Sequence, residues 1–147
     1  RLTRDFSRTV MRYLLGDYDY ILLDLPAALD EATAEALRMA SDIVITLDPN
    51  RIGMLMAQAM LDNLDRQNIG AYKAKVVLIN RVPAAASLNR MDIENTLQHT
   101  MIRSIPPVPD LAHESVQSGR PMVVVQPHSL VTQQIRLVVQ AIAGKGS

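Results

Sequence analysis

The chain of 147 residues has no cysteine and no tryptophan, and its only aromatic side chains are Phe6, Tyr13, Tyr18, Tyr20 and Tyr72. Without cysteine there are no disulfides, thiolate metal ligands or thiol nucleophiles, a composition that suits a cytoplasmic protein. So few aromatics leave little to stack on bases, which argues against a single-strand nucleic-acid binder. Charge of one sign is also missing: fifteen basic residues balance fifteen acidic ones, so no net field favours nucleic acid or an anionic membrane. No apolar run approaches the roughly 20 residues of a spanning helix, and no signal peptide is visible. The first residue is Arg1, not Met, and the expectation is an authentic amino terminus further upstream.

What is present alternates between helical and strand-like periodicity, the pattern of an α/β fold with a parallel sheet and flanking helices. A first helix is expected over Thr3–Leu15, with Phe6, Val10, Met11, Leu14 and Leu15 at helical spacing and Gly16 as its stop. The apolar run Tyr20–Asp24 reads as a strand buried on both faces. Asp30 then caps a helix reaching about Ala40. Asp42–Leu47 reads as a second strand. Asp48-Pro49 opens a helix to about Asp65, its inward stripe expected as Ile52, Leu55, Met56, Ala59, Met60 and Leu64. Lys75–Asn80 is a third strand, Ser87 the cap of a helix to about His99, and Met101–Ile105 a short strand before Pro106-Pro107. Asp110 caps a short helix that Ser118-Gly119 ends. Met122–Val125 reads as the last strand, and Ser129 caps a final helix turning Ile135, Val138, Val139 and Ile142 inward.

Asp24, Asp48 and Asn80 each fall at or just past the carboxyl end of an expected strand, the edge where open α/β sheets bind ligands. A carboxylate there suits a hard cation such as Mg²⁺, although an acid ending an apolar strand is more often a turn or capping residue. Asp48 reads best as a helix cap. His99, His113 and His128 share no i, i+4 spacing and lie on different elements, so they do not make a metal site.

The run Tyr18-Asp19-Tyr20-Ile21-Leu22-Leu23-Asp24-Leu25-Pro26, with Leu29-Asp30-Glu31-Ala32-Thr33 after it, resembles the Walker B region of the ParA/MinD family of deviant P-loop ATPases. Val76-Val77-Leu78-Ile79-Asn80-Arg81-Val82 resembles that family's base-recognition strand. Ile105-Pro106, Gly119-Arg120-Pro121 and Pro127-His128-Ser129 resemble its carboxyl-terminal segment. The Asp-Leu-Pro spelling and the Leu-Asp-Glu-Ala-Thr helix start look most like the CpaE/TadZ branch, associated with pilus assembly and polar localisation. The family's Walker A loop, with its two lysines, does not occur in the 147 residues. The resemblance therefore implies the carboxyl-terminal part of one three-layer P-loop NTPase-like domain over residues 1–147, lacking the Walker A strand.

The resemblance also implies roles. Asp24 matches the Walker B aspartate, both catalytic residue and Mg²⁺ ligand. Pro26 begins switch II, Asn80 and Arg81 lie at the adenine, and Pro106 packs beside that base. ATP or ADP and Mg²⁺ are the implied cofactors of the intact protein, with hydrolysis depending on an upstream Walker A loop and none expected of this fragment alone. The implied partners are a second copy across the nucleotide and proteins of a localisation or secretion system. Neither nucleic acid nor a membrane span is indicated. The expected place is the cytoplasm, with recruitment to the inner membrane or cell pole through partners. Where family members often carry glycine after the switch II proline, this chain has Ala27-Ala28. A non-hydrolysing localisation scaffold on the same fold is the alternative.

Overall fold

In a computed structural model, residues 3–79 and 88–143 are described. Helices α1 (Arg4–Asp17) and α2 (Glu31–Met39) are followed by β1 (Ile43–Leu47), α3 (Arg51–Arg66) and β2 (Ala74–Ile79). Then come α4 (Arg90–Leu97), β3 (Met101–Ile105), α5 (Pro109–Ser118), α6 (Met122–Val125) and α7 (Leu130–Ala143). The chain divides into two compact units: residues to Ile43 with Ala59–Ala74, and Val44–Gln58 with the residues from Lys75 onward.

The first unit holds α1 and α2 packed on each other. Thr3 caps α1, its hydroxyl accepting from the Phe6 amide at 3.3 Å. Gly16 does not stop this helix, which runs on to Asp17 with Tyr18 as its C-cap. Only Met11 of α1 is buried, and Phe6, Val10 and Leu15 stay exposed. Asp30 caps α2 as expected, accepting from the Thr33 amide at 2.8 Å. Lys73 donates to the carbonyls of Arg38 and Ala40 at 3.2 and 3.1 Å, a cation on the orphan carbonyls that end α2.

The expected strand Tyr20–Asp24 is not formed. The segment is unpaired, with Leu22 98% and Tyr20 82% exposed. Exposure still alternates, since Ile21, Leu23 and Leu25 are half-buried while Leu22, Asp24 and Pro26 face outward. That is strand-like alternation, but a strand exists only where a neighbouring backbone completes its ladder. The segment is not a member of the described sheet, whose strands are β1, β2 and β3.

The second unit is built on the three-stranded sheet β1-β2-β3. β2 and β3 run parallel, with Ile79 opposite Ile105. β2 is the apolar run of a covered strand, burying Val76, Val77 and Leu78. α7 packs on β3, and Ser129 caps α7, accepting from the Thr132 amide at 3.3 Å. The buried residues of α7 are Val131 and Thr132, while Ile135, Val138 and Ile142 are half-buried and Val139 exposed.

Four local expectations give way to identifiable physics. Asn50, not Asp48, caps α3, its side-chain oxygen accepting from the Gly53 amide at 2.8 Å. The buried residues of α3 are Ala57, Leu61 and Leu64, with Gly53 half-buried, whereas Ile52, Leu55 and Met56 of the expected stripe are exposed. A Cβ on Gly53 would run into the Asp48 carbonyl, so the close approach of the loop to the start of α3 requires a residue without a side chain there. Met122–Val125 is one turn of helix, with the amides of Val124 and Val125 bonded to the Pro121 carbonyl at 2.8 and 3.0 Å. Between Pro121 and Pro127 the amides of Val124, Val125 and Gln126 are thus satisfied within the turn instead of in the sheet. Asn89 caps α4, and the expected cap Ser87 lies outside the described residues. Asp110 does not cap α5: Pro109 takes the first helical position after Val108, and Asp110 lies inside the first turn. Gly119 ends α5 in the left-handed conformation, φ 62°.

Candidate functional site

In the first unit the Asp24 segment is the connection between α1 and α2, so those helices frame it. Their packing is pinned by one carboxylate. Glu35 on α2 has a side chain only 5% exposed, and Arg4 and Arg8 of α1 converge on it. Arg4 Nε donates to Oε2 at 2.9 Å and Arg8 Nε to Oε1 at 2.8 Å. Arg38 adds a third guanidinium at 3.5 Å and also donates to the Gln67 carbonyl at 3.4 Å. The hydrogen bond from Arg8, then that from Arg4, hold the Glu35 carboxyl below its ordinary pKa against the opposing effect of desolvation. Sequence reading missed this cluster. Its trace was visible as the i, i+4 pair Arg4 and Arg8 and the i, i+3 pair Glu35 and Arg38.

Between these helices Asp24 and Pro26 are both exposed. A single accessible carboxylate fits Mg²⁺, which keeps most of its waters and takes one or two protein oxygens. It does not make a metal cage, and no group of three acidic or histidine side chains gathers among the described residues. A triphosphate cradle is a different matter. The described glycines lie within α1 and α3, before a 3-10 turn at Gly70 and at the end of α5, not in a Gly-rich turn from strand to helix. The described residues therefore fit the cation and not the phosphates.

In the second unit the carboxyl edge of the sheet gathers the loop after β1, the end of β2 and the end of β3. Ile79 and Ile105 are register partners, so the chain leaves the sheet at one level after each. Pro106, half-buried, is the first residue beyond β3. Leu88 donates its amide to the Pro49 carbonyl at 3.0 Å, tying the start of the α4 region to the β1 loop. Asn80 and Arg81, expected at the adenine, lie outside the described residues. Asp24 and Pro26 thus belong to one unit and Pro106 to the other.

No family model matches the chain. A curated relative, the putative septum site-determining protein MinD of Guillardia theta, is 25% identical over 127 residues. That match takes in 83% of this chain and 46% of the relative, so the chain spans about half the relative's length. Among solved structures, a ParA family ATPase from Chlorobium tepidum TLS superposes with a TM-score of 0.83 at 20% identity, covering 96% of this chain and 57% of that one. The septum site-determining protein MinD from Pyrococcus horikoshii OT3, complexed with Mg-ADP, gives 0.75 at 20% identity, over 97% and 58%.

Proposed function

A chain with part of the ParA/MinD fold is the starting point, and we propose that it is the carboxyl-terminal part of a ParA/MinD-like nucleotide-switch ATPase serving pilus assembly or polar localisation. The observation that carries this reading is the accessible Asp24 carboxylate, two residues before Pro26, framed by two helices clasped through Glu35. In this reading Asp24 holds Mg²⁺ of a bound nucleotide, and Pro26 begins the switch segment. Asn80, Arg81 and Pro106 contact the base. The structure of a MinD with Mg-ADP supports the choice of cofactor. A second copy across the nucleotide is the proposed partner, together with proteins of the localisation system. The CpaE/TadZ assignment rests on the spelling Asp24-Leu25-Pro26 and Leu29-Asp30-Glu31-Ala32-Thr33.

The test uses the intact protein. Asp24→Ala should lower Mg²⁺-dependent ATP turnover by at least about tenfold, the loss of roughly 1.4 kcal/mol at the transition state, while circular dichroism stays unchanged. Turnover equal to the parent's would count against the assignment. Ala27-Ala28, where backbone closeness to phosphate favours glycine, supports the second reading, a non-hydrolysing scaffold. Calorimetry separates the two: no heat of nucleotide binding by the intact protein favours the scaffold.

A further inference from the structure

Helix α1 carries apolar side chains on two nearly opposite faces. One face meets α2: Met11 is buried, and Arg4 and Arg8 reach across to Glu35. The other holds Phe6, Val10 and Tyr13 at an i, i+4, i+7 spacing, exposed to 55%, 37% and 72%. At 3.6 residues per turn the two faces point about 160° apart. A helix covered on one side needs one apolar stripe. A second stripe, with two of the five aromatic side chains of the chain, marks an interaction surface.

Beside this stripe lie two exposed charges of opposite sign, Asp5 in the first turn and Arg12 two turns further on. Their spacing turns them to within about 20° of each other, on the same flank, and separates them by about 10 Å along the axis. That is too far for an ion pair within the helix, and no ion pair among the described residues engages either one.

The pattern complements itself in one orientation. A two-fold axis across the helix between Thr9 and Val10 sets two copies of α1 antiparallel and brings Phe6 level with the partner's Tyr13. Such an axis keeps equal flanks on the same side. Asp5 therefore comes within about 3 Å, along the axis, of the level of the partner's Arg12, and a guanidinium spans that offset. A parallel pair turns the two flanks away from each other and leaves all four charges unmatched. Charge complementarity thus selects a second, antiparallel copy, with two aromatic pairs and two ion pairs in an isologous contact.

We propose that the exposed face of α1 is a self-association surface on which two copies of this chain pair antiparallel, Phe6 on Tyr13 and Asp5 on Arg12 in both directions. This contact is separate from the second copy across the nucleotide and needs no nucleotide. One helix face is small against the roughly 800 Å² per partner of a stable interface, so the dimer is weak, with a Kd of about 10–500 µM.

The chain has no cysteine, so one introduced thiol reports the contact. Under mild oxidation of the full chain at about 100 µM, Val10→Cys, beside the axis, should form a disulfide-linked dimer with or without ATP. It should do so at least about tenfold faster than Val116→Cys, an exposed control on α5. Affinity is read by sedimentation equilibrium in a Leu22→Lys background, which removes association through the Tyr20–Asp24 segment. There Arg12→Glu should weaken the dimer at least about fivefold, and adding Asp5→Lys should restore it. Tyr13→Ser, at an exposed position, should weaken it as well and decides the matter if Arg12→Glu loses its fold by circular dichroism. Equal linking rates at positions 10 and 116 overturn the proposal, as does a chain still monomeric at about 1 mM. So do an affinity unchanged by Tyr13→Ser or by a folded Arg12→Glu, and a charge swap that restores nothing. A dimer that forms only with ATP overturns it too, since the second copy would then meet this one at the nucleotide.

Discussion

Replacing Leu22 by lysine puts the unpaired segment to a quantitative test, because the same chain supplies its own buried control. Leu64 is 0% exposed and Leu22 98%. Truncating a fully buried leucine removes its transfer free energy and leaves a cavity, so Leu64→Ala should destabilise the chain by about 2–5 kcal/mol. At Leu22 there is no burial to lose, and Leu22→Lys should fall within about 0.5 kcal/mol of the parent. If a neighbouring strand covered the segment instead, Leu22 would contribute about 1.5–3 kcal/mol of burial, and a lysine there would add the cost of desolvating its charge. Urea unfolding followed by far-ultraviolet circular dichroism separates the two cases. Sedimentation velocity at two concentrations tells whether the chain is monomeric during the measurement. A monomeric Leu22→Lys variant destabilised by 2 kcal/mol or more would refute the unpaired geometry. In a parent that associates, the lysine should suppress association, since an edge carrying Tyr20 and Leu22 outward is the kind that recruits other chains.

Two further outcomes follow from packing and charge. Gly53→Ala should destabilise by about 1–3 kcal/mol, because its new methyl meets the Asp48 carbonyl at the start of α3; a neutral result in thermal unfolding would mean that the loop yields freely. Glu35, held below its ordinary value near 4.5 chiefly by the Arg8 hydrogen bond, contributes stability that is present above that value and lost as pH falls through the lowered folded one. The acid limb of a stability–pH curve should therefore be shallower in Glu35→Gln than in the parent, and identical limbs would contradict the clasp.

How far the fold could be read in advance depended on whether a feature is written locally or in the neighbours. Asp30, Ser129 and Gly119 announce helix ends through their own side chain or backbone freedom, and each acts where expected. β2 was legible for a related reason, since a run buried on both faces carries its environment in its composition. Tyr20–Asp24 has the same composition and a different fate, because pairing requires a second backbone that no propensity encodes. On α3 the expected stripe was right about Leu64 and wrong about Ile52, Leu55 and Met56, which are exposed while Ala57 and Leu61 are buried. The approach of the Asp48 carbonyl to Gly53 is a contact between a loop and a helix start that the spacing of apolar residues does not record. The candidate site follows the same division. Asp24 could be picked out by its position at the end of an apolar run, whereas Pro106 became a candidate only through the resemblance to the ParA/MinD family. The Glu35 clasp joins residues 31 and 27 apart, so the two same-helix pairs, Arg4 with Arg8 and Glu35 with Arg38, are its only local trace and do not by themselves say that the helices meet.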